Sequence, residues 1–355
     1  MIKNLSALYL TKPENIRYFT GFIGTFGIAL VSSNHTYLIT DGRYTEQAKK
    51  LCNKKTQIII IKDSLNEEIK KLAQKHKWQK VGFEGNHLTY YQALKIRRDY
   101  KPLNLTPLGG EIDQLRIIKT EQEISTMKES QHINEKTLTE TLKFLKVGIT
   151  EAEIAWKIRE IAYQLGATEL AFDPIIAFGK NSSSPHYTPD HKCKLKKGDV
   201  VLIDMGVKYE GYCSDMTRTF FTKPPSTQEA EVYNTVLAAQ VNAINKLKPG
   251  MRGKQGDLLS RQIIEQAGYG DHFAHANGHG VGLEIHESPS LSSKSKHQDR
   301  NMRLAKNMII TVEPGIYLPG KFGVRIEDMI VIKDEQNINL TKFPKQIIES
   351  FQFNL

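Results

Sequence analysis

The chain has 355 residues, 39% of them hydrophobic, which is enough to bury two cores, and its length favours two domains. Its formal net charge of +10 comes from lysines spread along the chain, so it favours a solvated basic surface and excludes nucleic acid as the expected partner. No apolar run approaches the ~20 residues that span a bilayer, and residues 1–5 lack a signal-peptide pattern. The three cysteines lack metal-ligand spacing and do not suggest a disulfide framework, so we expect a cytoplasmic protein without a membrane segment.

The first third of the chain alternates strand-like and helix-like patterns. Short apolar runs at 28–31, 37–40, 58–61 and 81–83 predict strands. Leu65, Ile69 and Leu72 follow at helical spacing. These patterns predict a small α/β domain, and none of its residues indicates catalysis by itself.

The pattern changes near residue 118. Thr120 and Glu123 form a capping-box signal for a helix that we expect to end at Gly148. Thr150 and Glu153 repeat the signal ahead of a second helix that Gly166 should cap; its apolar positions are Ile154, Ile158, Ile161 and Leu165. Beyond it we expect mostly strands and turns. We therefore predict two domains, at residues 1–118 and 119–355.

Two aspartates lie on either side of the turn in a strand-turn-strand pattern of the second domain. The apolar run 200–203 predicts a buried strand ending at Asp204, and a Gly-containing turn separates it from Asp215. If the two strands are antiparallel, the carboxylates can face each other, and they then need a cation, a shared proton or solvent. Two exposed aspartates at strand ends would explain the pair equally well.

Three later segments add candidate ligands to this pair. A Gly-rich stretch carries His275 and His279, Glu313 ends an apolar run before Pro314, and Glu327 lies in an alternating strand pattern. With the aspartates, and with His279 as the imidazole, they supply four carboxylates and one imidazole to one domain. Such a set suits Mn²⁺, Co²⁺, Fe²⁺ or Zn²⁺ better than a thiolate site would, and bridging carboxylates could hold two ions ~3.5–4 Å apart.

In order and local context, five residues resemble the metal ligands of the methionine aminopeptidase, aminopeptidase P and prolidase family: Asp204, Asp215, His279, Glu313 and Glu327. The segments 204–219 and 275–287 resemble its proline-specific branch, and 15–22 with 41–44 resembles the accessory domain of that branch. The resemblance spans essentially the whole chain. It implies an α/β (α+β) fold, with a pita-bread catalytic domain behind a smaller creatinase-like N-terminal α/β domain.

The resemblance also implies a cofactor of two divalent ions, with Mn²⁺ the leading candidate. Asp204 would chelate one ion, His279 and Glu313 would hold the other, and Asp215 and Glu327 would bridge them. A hydroxide between the ions would attack the peptide carbonyl, and Glu313 would shuttle the proton.

Further residues take roles from the same resemblance. His186 would contact the substrate beside the metals, His286 would donate to the developing oxyanion, and His275 would help form the pocket for proline. Tyr317 and Arg325 would orient the metal-bound carboxylates.

We therefore expect metal-dependent hydrolysis of the N-terminal Xaa-Pro bond of peptides, by an aminopeptidase that forms a homodimer. A prolidase, which cuts Xaa-Pro dipeptides, would share every ligand; we favour the aminopeptidase because the sequence offers no evident clamp for a C-terminal carboxylate. A creatinase would share the fold but not use the metal pair, and the complete ligand set argues against it. A non-catalytic peptide-binding pita-bread module is the remaining alternative.

Overall fold

The computed structural model describes residues 2, 4–100, 103–294 and 301–345. The chain divides into two compact units, Met1–Arg116 and Ile117–Leu355, each of mixed α/β structure. The described residues include no helix with the length and apolar character that a membrane span requires.

The first unit is built on one six-stranded sheet in the order β4-β3-β2-β1-β5-β6. β1 is antiparallel to β2 and parallel to β5, so the sheet is mixed. Its strands are β1 Ala7–Leu10, β2 Ile28–Val31, β3 Thr36–Thr40, β4 Thr56–Ile60, β5 Lys80–Glu84 and β6 Asn104–Leu108; its helices are α1 Pro13–Thr20, α2 Thr45–Leu51, α3 Leu65–His76 and α4 Tyr90–Asp99. The strands and the helix predicted here are confirmed.

Alternation along β1 explains why both faces of this sheet are covered. Successive side chains of a strand point to opposite faces. Tyr9 packs in one cluster with Ile69 of α3, whereas Leu10 packs in another with Ile16 of α1. Apolar residues are therefore needed at every position of the central strand, which reads as a continuous hydrophobic run.

The second unit contains four helices within the described residues, namely α5 Glu121–Leu142, α6 Glu151–Gln164, α7 Thr227–Lys246 and α8 Gly253–Gln266. Both predicted capping boxes form, at Thr120 with Glu123 and at Thr150 with Glu153. α5 ends at Leu142, several residues before the predicted stop, and Gly148 lies in the following turn with a φ of +92°.

Most of the chain after the second helix is strand and turn, as expected, but two helices that the sequence analysis did not predict, α7 and α8, also lie there. α7 begins with a capping box formed by Ser226 and Glu229, the same signal that marked the earlier helices. Val232 and Val236 of α7 pack in one cluster with Ile264 of α8. Val232 and Val236 are four residues apart, so the helical spacing of these apolar residues is visible in the sequence.

The strands of this unit form four small sheets in the described residues, in the orders β12-β9-β8, β14-β13-β15-β18-β19, β11-β10-β7 and β16-β17. Every pairing within them is antiparallel. The strands are β7 Glu169–Leu170, β8 Ile175–Phe178, β9 Val200–Met205, β10 Val207–Tyr209, β11 Tyr212–Cys213, β12 Met216–Phe221, β13 Gly278–Gly280, β14 Glu287–Leu291, β15 Ile309–Val312, β16 Gly315–Leu318, β17 Phe322–Arg325, β18 Asp328–Val331 and β19 Ile338–Asn339.

Two of these sheets are joined by backbone and ionic contacts next to the predicted ligands. The amide of Glu327 donates to the carbonyl of Thr217 over 3.2 Å. The buried guanidinium of Arg218 donates to the carbonyl of Glu327 at 2.7 Å and to the carboxylate of Asp328 at 2.8 Å. The ends of β12 and β18 are thereby fixed against each other.

Candidate functional site

A cavity of about 680 Å³ in the second unit collects the predicted site residues. Its wall includes all five predicted metal ligands and all three predicted substrate histidines. Arg325 also lines it, whereas Tyr317 lies behind the wall. The predicted residues that line the cavity are Asp204, Asp215, His279, Glu313, Glu327, His186, His275, His286 and Arg325.

Strand register explains how distant residues reach one point. Asp204 lies in β9 opposite Thr217 of β12, and Asp215 stands just before β12. Val312 and Asp328 form the last pair between β15 and β18. The residues directly beyond that pair, Glu313 and Glu327, therefore leave the ladder at the same end.

The tightest group comprises Asp215, His279 and Glu327, whose ligand atoms all lie within 4.8 Å of one another. His279 Nε2 lies 3.6 Å from Asp215 Oδ2 and 3.4 Å from Glu313 Oε1. Its other nitrogen, Nδ1, lies 3.0 Å from the carbonyl of Gly280. Because a carbonyl only accepts, Nδ1 carries the proton, and the lone pair of Nε2 faces the carboxylates, as a metal ligand requires.

Asp204 and Glu313 flank this group without belonging to it. Asp204 Oδ2 accepts from Arg325 Nη2 at 2.5 Å, whereas Oδ1 is buried and has no hydrogen-bond partner in the described structure. Glu313 accepts from the hydroxyl of Thr311 at 3.2 Å and lies 3.8 Å from His275 Nδ1. Both carboxylates keep an oxygen that a cation could use.

Burial and mutual repulsion make this cluster unfavourable as a set of bare anions. Burial first, and then the charge of Glu327, raises the pKa of Asp215 well above its ordinary value. Burial and then Glu313 do the same for Glu327, and burial raises the pKa of Glu313 to about 7. Either protons or cations must neutralise such a group. Burial also lowers the pKa of His279, which keeps the imidazole in the neutral form that binds metals.

These observations agree with a divalent-cation site. The donor set is rich in oxygen with one nitrogen, the histidine presents its lone pair, and one buried oxygen of Asp204 has no partner among the described residues. Hard or borderline cations suit such donors. The residues present therefore fit the metal ions that the sequence predicted.

A hydrogen-bonded chain behind the cavity fixes His275. Arg325 Nη1 donates to the hydroxyl of Tyr317 at 2.7 Å, and that hydroxyl lies 2.8 Å from His275 Nε2. His275 Nδ1 lies 2.8 Å from the carbonyl of Ala276, so it is the donor there and Nε2 accepts from Tyr317. Burial, and then the charge of Arg325, lowers the pKa of His275 to about 3, so the ring is neutral.

Sequence reasoning missed Thr217, which links two of the predicted residues. Its hydroxyl accepts from Arg325 Nε at 3.0 Å and donates to Glu327 Oε2 at 2.6 Å. Its place two residues after Asp215, on a strand whose alternate residues share a face, was the available signal. Gln131 of α5, which accepts from the amide of Asp215 at 3.3 Å, had no local signal.

His186 and His286 lie far apart in the sequence but line the same cavity. His186 follows the 3₁₀ turn Gly179–Ser183, between two other wall residues. The ring of His286 lies 4.3 Å from that of His279 at an interplanar angle of 60°. Burial first, and then the charge of His279, lowers the pKa of His286 to about 4, so it can donate one N–H as a neutral ring.

The rest of the wall is mixed: Phe172, Ile175, Ile285 and the ring of Tyr187 are apolar, whereas Asp173, Glu287, Ser288 and Ser290 are polar. Among the described residues that line the cavity, Arg325 is the only lysine or arginine, and its guanidinium is already bound to Asp204. The described wall thus offers no uncommitted lysine or arginine to a substrate carboxylate.

The chain is a metallopeptidase by family as well as by the chemistry of its cavity. Residues 125–334 match metallopeptidase family M24, and residues 2–118 match the creatinase/prolidase N-terminal domain. The chain belongs to family M24, and the predicted α/β pita-bread class with its creatinase-like N-terminal domain is confirmed.

Solved structures similar to this chain include three with proline-related names. An Xaa-Pro dipeptidase from Bacillus anthracis is 38% identical, with a TM-score of 0.91 over 97% of this chain and 94% of that one. An X-Pro aminopeptidase from Thermotoga maritima MSB8 is 36% identical, with a TM-score of 0.90 over 97% of each chain. A prolidase from Pyrococcus furiosus is 34% identical, with a TM-score of 0.85 over 95% of this chain and 96% of that one.

Proposed function

We propose that this peptidase is an Xaa-Pro dipeptidase, which hydrolyses the peptide bond before a C-terminal proline. The observation that carries the proposal is the similarity, over nearly the whole chain, to an Xaa-Pro dipeptidase and a prolidase. The sequence analysis favoured an aminopeptidase, with the prolidase as its alternative. The names of the similar structures weigh toward that alternative.

The residues that would hold the metal ions are those of the cluster. Asp215, His279 and Glu327 already place ligand atoms together, and Asp204 and Glu313 would complete the set. When bound, the ions lower the pKa of water and so supply a nucleophile near neutral pH. We propose two ions, with Mn²⁺ as the first candidate.

The cavity residues divide the remaining work. Cleavage before proline releases a carboxylate and a secondary amine, so the proline nitrogen must receive a proton. Glu313, a carboxylate on the cavity wall, would accept a proton from the attacking water and deliver it to that nitrogen. Neutral His286 would donate to the oxyanion, and His186 would contact the substrate.

The roles of Arg325 and Tyr317 follow from their contacts. Arg325 would hold Asp204 in place, and Tyr317 would orient His275 toward the proline side of the substrate. Both would support ligands and wall residues without touching the reacting bond.

An Xaa-Pro aminopeptidase is the second candidate, favoured by one feature of the cavity. A strict dipeptidase must recognise the free carboxylate of proline, whereas an aminopeptidase need not. The described wall has only one lysine or arginine, Arg325, and Asp204 already engages it. The similar X-Pro aminopeptidase shows that this function also occurs on the fold.

A panel of four substrates separates these functions. Ala-Pro, its C-terminal amide Ala-Pro-NH₂, a longer Ala-Pro peptide and an Ala-Ala-Yaa control would be compared by kcat/KM. A dipeptidase cleaves Ala-Pro and loses activity on the amide and on the longer peptide. Equal or better cleavage of the blocked and longer peptides would replace the proposal by the aminopeptidase. Equal cleavage of the control would remove proline specificity.

The homodimer and the cytoplasmic location predicted from the sequence belong to the same proposal. Sedimentation of the purified chain and fractionation of its host cells would test them.

A further inference from the structure

Glu151 is a fully buried carboxylate that does not line the cavity. It is the first residue of α6. Its Oε1 accepts from the amide of Phe178 at 2.7 Å and from Asn181 Nδ2 at 3.0 Å, and its Oε2 accepts from the amide of Asp190 at 3.0 Å. The positive end of the α6 dipole also favours an anion in this first turn.

The three donors to Glu151 lie at the two ends of one segment. Phe178 ends β8, Asn181 lies in the following 3₁₀ turn, and Asp190 comes nine residues after Asn181. The helix returns the contact, since the amide of Ala152 donates to the carbonyl of Asp190 at 3.4 Å. A single buried side chain therefore closes residues 178–190 into a loop against the start of α6.

That loop carries three consecutive cavity residues, Pro185, His186 and Tyr187. The hydroxyl of Tyr187 accepts from Asn181 Nδ2 at 2.8 Å, the same amide that binds Glu151. Burial, and then the interaction with Glu151, raises the pKa of Tyr187 above its ordinary value, so the phenol keeps its proton. Asn181 Nδ2 thus connects Glu151 to Tyr187 of the cavity wall, because it donates to both side chains.

We propose that Glu151 is a positioning residue that holds His186 and Tyr187 at the substrate cavity from outside it. The inference rests on the proposed function only in assigning His186 to the substrate. Loss of the Glu151 charge displaces the loop and leaves every metal ligand and every substrate-contacting side chain in the chain. Glu151 acts through His186, so its effect must depend on whether His186 is present.

Glu151→Gln is the informative substitution because it keeps the shape of the side chain. Both oxygens of Glu151 now accept hydrogen bonds from N–H groups. The NH₂ group that replaces one of them in glutamine would face a backbone N–H, so that two donors would oppose each other. Misplacement of a cavity residue by about 1 Å can cost ~10²-fold in rate. We expect kcat/KM on Ala-Pro to fall ~10–100-fold, mainly through KM, with metal content unchanged.

A double-mutant cycle tests whether the effect passes through His186. The variants are Glu151→Gln, His186→Ala and the two together. We expect the double variant to match His186→Ala within about 3-fold, because His186 is the loop residue assigned to the substrate. Losses that multiply would show that Glu151 acts independently of His186 and would overturn the proposal.

Glu153→Ala is the matched control, because Glu153 lies in the same first turn of α6 but caps the helix through Thr150. It should weaken the helix without the loss in kcat/KM or the dependence on His186. If it reproduces both effects, Glu151 has only a general structural role and the proposal fails. If Glu151→Gln does not fold, Asn181→Ala replaces it, because this substitution removes one of the three hydrogen bonds to Glu151. Wild-type kcat/KM in Asn181→Ala would also overturn the proposal.

Hydrogen exchange separates this inference from the proposed function. In Glu151→Gln, amides 178–190 should exchange faster, while those at the buried positions Ile154 and Ile158 of α6 keep their protection. Failure of the wild type to cleave any Xaa-Pro substrate would refute the proposed function. Unchanged exchange of the loop would refute the anchoring by Glu151, whatever the substrate is.

Discussion

Replacement of Arg325 by methionine should destabilise the metal-free protein far more than the metal-loaded one. The side chain is 4% exposed, and each of its three nitrogens donates at least one hydrogen bond. Nη2 binds Asp204 at 2.5 Å, Nε binds Thr217 at 3.0 Å, and Nη1 binds the hydroxyl of Tyr317 at 2.7 Å and the carbonyl of Pro185 at 3.3 Å. Arg325→Met leaves Asp204 buried beside other carboxylates without its cation.

The size of the effect follows from the burial of the pair. Breaking a buried ion pair from one side costs about 3–5 kcal/mol in the free energy of unfolding. In a domain of this size, 1 kcal/mol shifts Tm by roughly 2–4 °C, so the metal-free variant should melt about 10 °C below the wild type. Bound cations would replace part of the lost positive charge, so excess Mn²⁺ should narrow the gap.

Thermal melts with and without Mn²⁺ measure both the Tm loss of the metal-free variant and the part of that loss that Mn²⁺ removes. Arg325→Lys keeps the charge but loses the planar guanidinium and its several hydrogen bonds. Its Tm should therefore lie between that of the wild type and that of Arg325→Met. Lys306→Met removes an exposed ion pair with Asp334 in the same unit and should leave Tm unchanged. A Tm loss that Mn²⁺ does not reduce, or no loss in the metal-free state, would refute the assignment of Arg325 to the charge of the metal cluster.

Three further predictions concern the cavity. Glu313→Gln should retain the fold by circular dichroism but lower kcat by ~10²–10⁴-fold; wild-type turnover would rule out its role as the proton shuttle. His186→Ala and His286→Ala should each lower kcat/KM with metal content unchanged; parallel loss of metal would instead make the residue a ligand or its support. The pKa of Glu313 is raised to about 7 in the folded protein, so the metal-free protein binds more protons than its unfolded chain between pH ~4.5 and 7. Its contribution to stability is therefore present at pH 4 and lost as the pH rises through 7. In the metal-free state the Tm of the wild type minus that of Glu313→Gln should fall from pH 5 to pH 8, and no fall would contradict this.

Two of the predicted ligand residues could be located from local pattern alone, because each stands where an apolar run stops. Asp204 lies at the end of an apolar run and Glu313 precedes a proline, so their positions at strand ends are visible in one dimension. Antiparallel pairing then leaves few ways to bring such ends together. The structure places both residues on the wall of one cavity, and their roles as ligands stay a prediction.

The supporting residues were not predictable in the same way. Glu151 looks like an ordinary acidic residue in the first turn of a helix, where the dipole alone would explain it. Its burial, and its contacts with Asn181 and Asp190, arise only when α6 packs against a loop some 30 residues away. Gln131 of α5, which accepts from the amide of Asp215, likewise has no local sequence signal that would predict this contact.

Removal of metal followed by its stepwise return tests the central claim most directly. Bound Mn²⁺ and hydrolysis of Ala-Pro would be measured on the same samples after chelation. The account predicts no hydrolysis by the metal-free protein, recovery as metal binds, and a plateau near about two ions per chain. Full hydrolysis of Ala-Pro by protein without measurable metal would contradict it.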